Sequence, residues 1–157
     1  MRSREGFTLI ETLIYIALVS VITGSFIFSS YQIVDSKGRV QNQLELTENK
    51  KFLIDKLKWV LASNSAINLP ASGNSGVSLS VNKLNYGSNP LVVDLASNQI
   101  RLTLGGGQPV PLTNSQVTVN SLTFTHQNLS GRSVIRVQAT MQNTVGSISV
   151  DTTIPVK

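Results

Sequence analysis

The stretch that decides the fold is FTLIETLIYIALVSVITGSFIF, residues 7–28, which is 22 residues long and carries a single charge, on Glu11. A helix of about 20 apolar residues is long enough to cross the hydrocarbon core of a bilayer. The stretch exceeds the roughly 7–15-residue apolar region of a cleaved secretory signal, and no A-x-A-like cleavage site follows it. It therefore predicts a membrane-spanning helix that the protein retains.

Two basic residues, Arg2 and Arg4, precede the apolar stretch and indicate its orientation. Basic residues next to a membrane span stay on the cytoplasmic side. The N-terminus is therefore expected in the cytoplasm and the rest of the chain outside it. The predicted location is the cytoplasmic (inner) membrane, crossed once, with an extracytoplasmic head.

The acid within the apolar stretch, Glu11, requires an explanation. A carboxylate near the bilayer centre costs about 2.5–3.5 kcal/mol, and such residues are usually functional. Glu11 either lies close enough to the membrane surface to stay hydrated or has a cationic partner. Residues 7–28 contain no Lys, Arg or His. Such a partner would be an arginine of the N-terminal tip, a freed α-amine, or a group on another molecule.

The residues Gly6-Phe7-Thr8-Leu9-Ile10-Glu11 resemble the processing motif of type IV prepilins and pseudopilins. A short basic leader precedes the motif and the apolar helix follows it. The resemblance covers about the first 30 residues. It implies that a prepilin peptidase cuts between Gly6 and Phe7 and N-methylates Phe7. Glycine suits a cleavage site because it has no side chain to clash with the protease.

The same resemblance implies a role for Glu11 in filament assembly. In this family the glutamate is thought to pair with the Phe7 amine of a neighbouring subunit. Two charges that are each costly in lipid then offset one another. The pairing would drive assembly and set the axial register between subunits.

After residue 30 the helical pattern becomes amphipathic. No proline precedes Pro70, and Gly24 and Gly38 are the positions at which the helix is most easily bent or closely packed. We expect the helix to reach about Ser63, with Asn64 and Ser65 as stop residues. Apolar residues recur at roughly helical spacing: Val40, Leu44, Leu53, Ile54, Leu57, Val60 and Leu61.

The remaining chain predicts a β-rich head. Residues 69–80 are rich in Ser, Gly and Asn and predict a loop. Period-2 alternation predicts five or six strands in a mostly antiparallel sheet with one buried face. The segments are 77–81, 91–95, 100–104, 117–124, 134–141 and 148–156.

Together these patterns predict an α+β, pilin-like fold in four parts. Residues 1–6 form a leader that is removed, and residues 7–30 form the transmembrane and assembly helix. Residues 31–65 continue as an amphipathic helix, and residues 66–157 form the globular head packed on it.

Composition excludes several kinds of chemistry. The chain has no cysteine, so disulfides, thiolate metal sites and thiol nucleophiles are ruled out. His126 is the only histidine, and Asp94 and Asp151 are the only acids after Asp55. No G-x-S-x-G elbow occurs, and Gly105-Gly106-Gly107 lacks the Lys-Ser/Thr of a phosphate-binding loop. We therefore expect no enzyme activity, no cofactor and no metal site.

The net charge of +5 arises from scattered basic residues. Lys50, Lys51, Lys56 and Lys58 are interleaved with acids, which favours a solvated helix face over a patch for nucleic acid or anionic lipid. Arg132 and Arg136 lie four apart in a predicted strand. Their side chains should share a face, which makes them a possible anion-binding patch.

The expected function is that of a minor pilin or pseudopilin in a type IV pilus-like or type II secretion filament. Within the family that the motif resembles, a β-rich head of this size without a C-terminal disulfide pair is more similar to minor pilins and minor pseudopilins than to the disulfide-looped major pilin. Expected partners are sibling subunits, the prepilin peptidase, the inner-membrane assembly platform and the lipid bilayer.

Two alternatives stay open. The first is a filament-tip subunit that binds DNA, a surface or a secreted substrate. The second is a signal-anchored extracytoplasmic protein that has an enzymatic activity and keeps an uncut N-terminus. The sequence does not distinguish a pilus from a secretion or DNA-uptake machine.

Overall fold

A computed structural model describes residues 8–156, apart from the side chain of Asp35. It divides into two compact units, Met1–Val40 and Gln41–Lys157. The described part contains one helix, α1 (Leu9–Val60), followed by nine strands. The strands are β1 (Asn64–Leu69), β2 (Ser75–Gly76), β3 (Leu79–Lys83), β4 (Leu91–Ala96), β5 (Gln99–Leu104), β6 (Val110–Pro111), β7 (Thr118–Leu129), β8 (Arg132–Gln142) and β9 (Ser147–Pro155).

In the first unit, α1 exposes its large apolar side chains, and it is long and apolar enough to cross a membrane. The hydroxyls of Ser20, Ser25 and Ser30 each donate to the carbonyl oxygen four residues earlier, at 2.7, 2.8 and 2.9 Å. Lipid offers no hydrogen-bond partners, so polar groups in a span must be satisfied within the protein. These three hydroxyls meet that requirement within the helix.

In the second unit, the C-terminal part of α1 contributes one face to the core. Leu46, Leu53, Leu57 and Val60 are buried at helical spacing, and Leu61 directly after the helix is also buried. They form one apolar cluster with inward-facing residues of the strands, among which Phe124 is the largest fully buried side chain. Burial of such side chains contributes about 1.5–3 kcal/mol each and anchors the head to the helix.

The strands form two antiparallel sheets. Their orders are β1-β3-β4-β5-β6 and β2-β7-β8-β9. The long β7–β8 hairpin turns at Ser130 and Gly131, which both have positive φ (52° and 78°). A two-residue type I′ turn, whose twist matches that of the flanking strands, requires positive φ at both positions. The α+β class predicted from the sequence, a long N-terminal helix packed on antiparallel β-structure, is confirmed.

Several predicted boundaries differ from the structure. The helix expected to reach Ser63 within segment 31–65 ends at Val60, and Asn64 and Ser65 begin β1 instead of serving as stop residues. The predicted loop 69–80 contains β2 and the first residues of β3. β1 has little alternation of its own and pairs irregularly with β3. The formation of β1 depends on that non-local pairing, which cannot be predicted from the local alternation of apolar and polar residues.

The end of α1 is capped by a lysine from β3. The Lys83 ammonium donates to the carbonyl oxygen of Trp59 at 2.6 Å and lies 4.3 Å from the centroid of the Trp59 ring. The Tyr86 ring meets Trp59 edge-on, with centroids 6.1 Å apart. The last carbonyls of a helix lack internal partners and carry partial negative charge, so a cation there is favourable. Burial lowers the pKa of Lys83.

Replacing this cap should loosen the junction between α1 and β3. We expect Lys83→Met to lower the free energy of unfolding by about 1 kcal/mol, because it removes a charged hydrogen bond and a cation–π contact. The measurement is denaturant unfolding in detergent, followed by far-UV circular dichroism. Lys56→Met is the matched control, because the Lys56 ammonium lies 5.1 Å from the same ring. An equal effect of both variants would contradict the capping role of Lys83.

Candidate processing and assembly site

The structure places Thr8 as the cap of the first turn of α1. The Thr8 hydroxyl accepts a hydrogen bond from the Glu11 backbone N–H at 3.4 Å, and its carbonyl accepts one from the Thr12 N–H at 3.2 Å. Helix N-termini leave backbone N–H groups without internal acceptors, and a threonine oxygen satisfies one of them. The sequence analysis did not predict that Thr8 caps the helix. The Thr-x-x-Glu spacing of a capping box is the signal that identifies it.

Glu11 lies in this first turn and is half-buried. The position is electrostatically suitable for an anion, since the N-terminus of a helix carries partial positive charge. Within residues 8–156, no ion pair or hydrogen bond to the Glu11 carboxylate is present. The carboxylate therefore has no counter-charge in the described part of the chain. Gly6, Phe7 and the two tip arginines lie outside the described residues.

In the head, the two arginines predicted to form an anion-binding patch, Arg132 and Arg136, differ in whether they have an ion-pair partner. Arg136 forms a two-pronged ion pair with Asp151, with Nε–Oδ1 at 2.8 Å and Nη2–Oδ2 at 2.6 Å. Arg132 is exposed and has no ion pair among the described residues. The two arginines do share the outer face of β8, but one of them is already neutralised. The binding patch stays a prediction, with Arg132 as its available cation.

The Asp151 carboxylate is held ionised by its partners. The Arg136 hydrogen bonds lower the pKa of Asp151, with a further contribution from Gln138, whose amide donates at 3.3 Å. A carboxylate whose pKa is lower in the folded state stabilises the fold above its unfolded pKa, and loses that contribution as pH falls through the folded value. The Asp151 contribution is therefore present at neutral pH and lost in acid.

The other candidate chemical groups of the head also have partners. Asp94 is paired with Arg101, at 3.1 and 2.9 Å. His126 is buried between the Pro70 carbonyl and the Ser133 hydroxyl, 3.0 Å from Nδ1 and 2.6 Å from Nε2. In the part of the chain that the structure describes, no group of three or more His, Asp or Glu side chains is placed to hold a metal ion.

The lysines of the C-terminal part of α1 are dispersed among different contacts. Lys58 pairs loosely with Asp55 at 3.8 Å, while the Lys50 ammonium donates to the carbonyl oxygen of Ser149 on β9 at 3.3 Å. Exposed pairs of this kind contribute little to stability. These separate contacts favour the interpretation that the lysines lie on a solvated helix face over the interpretation that they form one binding surface.

Comparison with known proteins identifies the N-terminal segment. Residues 1–27 match the family model described as the prokaryotic N-terminal methylation motif. No curated protein and no solved structure matches the chain. The matched segment is the type IV prepilin-like signal, consistent with the pilin and pseudopilin family. With the long apolar helix, it supports anchoring in a membrane.

Removing the arginine partner should release Asp151. We expect Arg136→Gln to raise the pKa of Asp151 toward its ordinary value, because the principal cause of the lowering is lost. A carboxyl-carbon NMR titration of the protein in micelles measures this pKa directly. Arg132→Gln is the matched control and should leave the titration of Asp151 unchanged. The assignment is wrong if Asp151 titrates identically in Arg136→Gln and the unmodified protein.

Proposed function

We propose that this chain is a structural subunit, a minor pilin or pseudopilin, of a type IV pilus-like or type II secretion filament. The observation that carries the proposal is Glu11, a carboxylate in an apolar helix with no counter-charge among residues 8–156. The N-terminal methylation motif at residues 1–27, which includes Glu11, also supports it.

The first step of the proposed pathway is insertion with the N-terminus in the cytoplasm. A prepilin peptidase then cuts between Gly6 and Phe7 and methylates the new amine of Phe7. Cutting on the cytoplasmic side leaves the apolar helix in place as the membrane anchor. It also creates a cation close in sequence to Glu11.

The second step is assembly through complementary charges. The Phe7 amine of one subunit pairs with Glu11 of a neighbour, since each charge alone is costly in lipid. Thr8 assists by ordering the first turn of the helix, in which Glu11 lies. Axial register then follows from the position of Glu11, because an apolar helix surface by itself slides freely against another.

The head is the second part of the proposed subunit. Its core packs the C-terminal part of α1, from Leu46 to Val60, and the following Leu61 against two antiparallel sheets. The proposed partners are sibling subunits and the inner-membrane assembly platform. The proposed final location is an extracytoplasmic or cell-surface filament.

Processing is tested at Gly6. We expect Gly6→Val to keep the six-residue leader, because a branched side chain blocks the backbone from entering the peptidase. Intact-mass spectrometry of the membrane-extracted protein distinguishes the uncut chain from one that begins at methylated Phe7. Gly24→Ala is the control, since a Cβ at Gly24 meets nothing within 4 Å, and it should be processed normally. An unchanged mature mass for Gly6→Val would refute the cleavage site.

Assembly is tested at Glu11. We expect Glu11→Leu to insert and be processed normally but to enter filaments at least about tenfold less, because the Phe7 amine of the neighbour is left unpaired in lipid. The measurement is the ratio of sheared-filament to membrane-bound protein. Thr12→Leu, the adjacent residue, controls for altered helix packing. Incorporation of Glu11→Leu at the level of the unmodified protein would exclude the pairing.

A further inference from the structure

One cavity of the head contains chemistry that the proposed assembly function does not use. It has a volume of ≈ 270 Å³ and opens between β1 and the β7–β8 hairpin. Ala66, Ile67 and Val156 supply apolar wall, His126 and Ser133 supply polar groups, and Asn64 and Ser65 complete the lining. A mostly apolar hollow with a few convergent polar groups is the usual form of a small-molecule site.

The hydrogen bonds of His126 determine its tautomer. Its Nδ1 lies 3.0 Å from the Pro70 carbonyl oxygen, which only accepts, so Nδ1 carries the proton. In the neutral imidazole, Nε2 is then an acceptor, and it lies 2.6 Å from the Ser133 hydroxyl. Ser133 therefore donates its proton to His126. This is the relation of a nucleophile to its general base, with the base held in place by a third group.

The fold maintains this arrangement through strand register. Asn128 pairs with Ser133 and His126 pairs with Ile135, so the histidine and the serine are diagonal neighbours on the inward face of the hairpin. The His126 backbone is also held on both sides: its N–H donates to Asn74 at 3.0 Å, and its carbonyl accepts from Gly73 at 2.9 Å. The ring is therefore fixed by its own strand as well as by Pro70.

Asn64 also lines the cavity. Both polar atoms of its side-chain amide are buried and have no hydrogen-bond partner among the described residues. Because these two atoms are not exposed to the cavity, Asn64 contributes to its wall and not to the reacting groups.

We propose that Ser133 and His126 form an acyl-transfer dyad that acts on small esters. The Ser133 Oγ attacks the ester carbonyl carbon while Nε2 takes the hydroxyl proton. The carbon–oxygen bond to the alcohol breaks, and Nε2 returns the proton to the departing alkoxide. Water then hydrolyses the acyl-serine by the same route and regenerates the hydroxyl. This activity goes beyond the proposed filament role and does not rest on it.

The test is active-site labelling of the full chain in detergent micelles with a small alkyl fluorophosphonate. Peptide mass spectrometry locates the adduct without any substitution. We expect Ser133 to react at least about 100-fold faster than Ser130, an exposed serine of the neighbouring turn, because a general base contributes roughly 10²–10⁴-fold.

Three variants separate the dyad from general reactivity. Ser133→Ala should abolish labelling and p-nitrophenyl acetate hydrolysis, and His126→Gln should lower both to the level of surface serines. Ser130→Ala should change neither. Unchanged far-UV circular dichroism shows that His126→Gln is folded. If the unmodified protein forms no Ser133 adduct, or forms one no faster than at Ser130, the dyad is refuted whether or not any variant folds.

Discussion

The carboxylate of Glu11, which has no counter-charge within residues 8–156, is the constraint on which the rest of this account depends. It lies in the first turn of a helix in which residues 12–28 carry no charge and are exposed. The serine hydroxyls of the same helix are satisfied by its own carbonyls, so they place no demand on a partner. Glu11 does require a partner, because a charged group in lipid is stabilised only by a counter-charge. In the proposed assembly, the amine of a processed Phe7 on a neighbouring subunit supplies this counter-charge.

The head obeys a different constraint, which is the burial of one face of the same helix. Leu53, Leu57 and Val60 are fully buried against two sheets, and Lys83 caps the end of α1. A single helix thus supplies an apolar surface for a membrane at one end and a core for a globular domain at the other. The charged groups on the head surface are mostly engaged locally, as Arg136 and Asp151 illustrate. The uncharged His126–Ser133 pair is also engaged locally, but it lines a cavity.

The sequence predicted those features that depend on local pattern. The apolar helix and the strands that alternate clearly, such as β5 and β8, were predicted close to their positions in the structure. It did not predict β1, whose residues form a strand only because β3 lies beside them. The split into two sheets and the Lys83 cap likewise depend on contacts between distant residues. His126 was interpreted as a lone residue because its partners, Pro70 and Ser133, are brought to it only by the fold.

The contact between Glu11 and the processed N-terminus can be measured directly in assembled filaments. Filaments are grown from two pools of subunits, one with ¹⁵N-labelled phenylalanine and the other with ¹³C-labelled glutamate side chains. Solid-state NMR then detects a nitrogen–carbon dipolar coupling only between subunits. The account predicts a correlation from the methylated Phe7 amine to the Glu11 carboxylate at ion-pair distance, about 4 Å or less. Filaments that form normally but lack this correlation would contradict it.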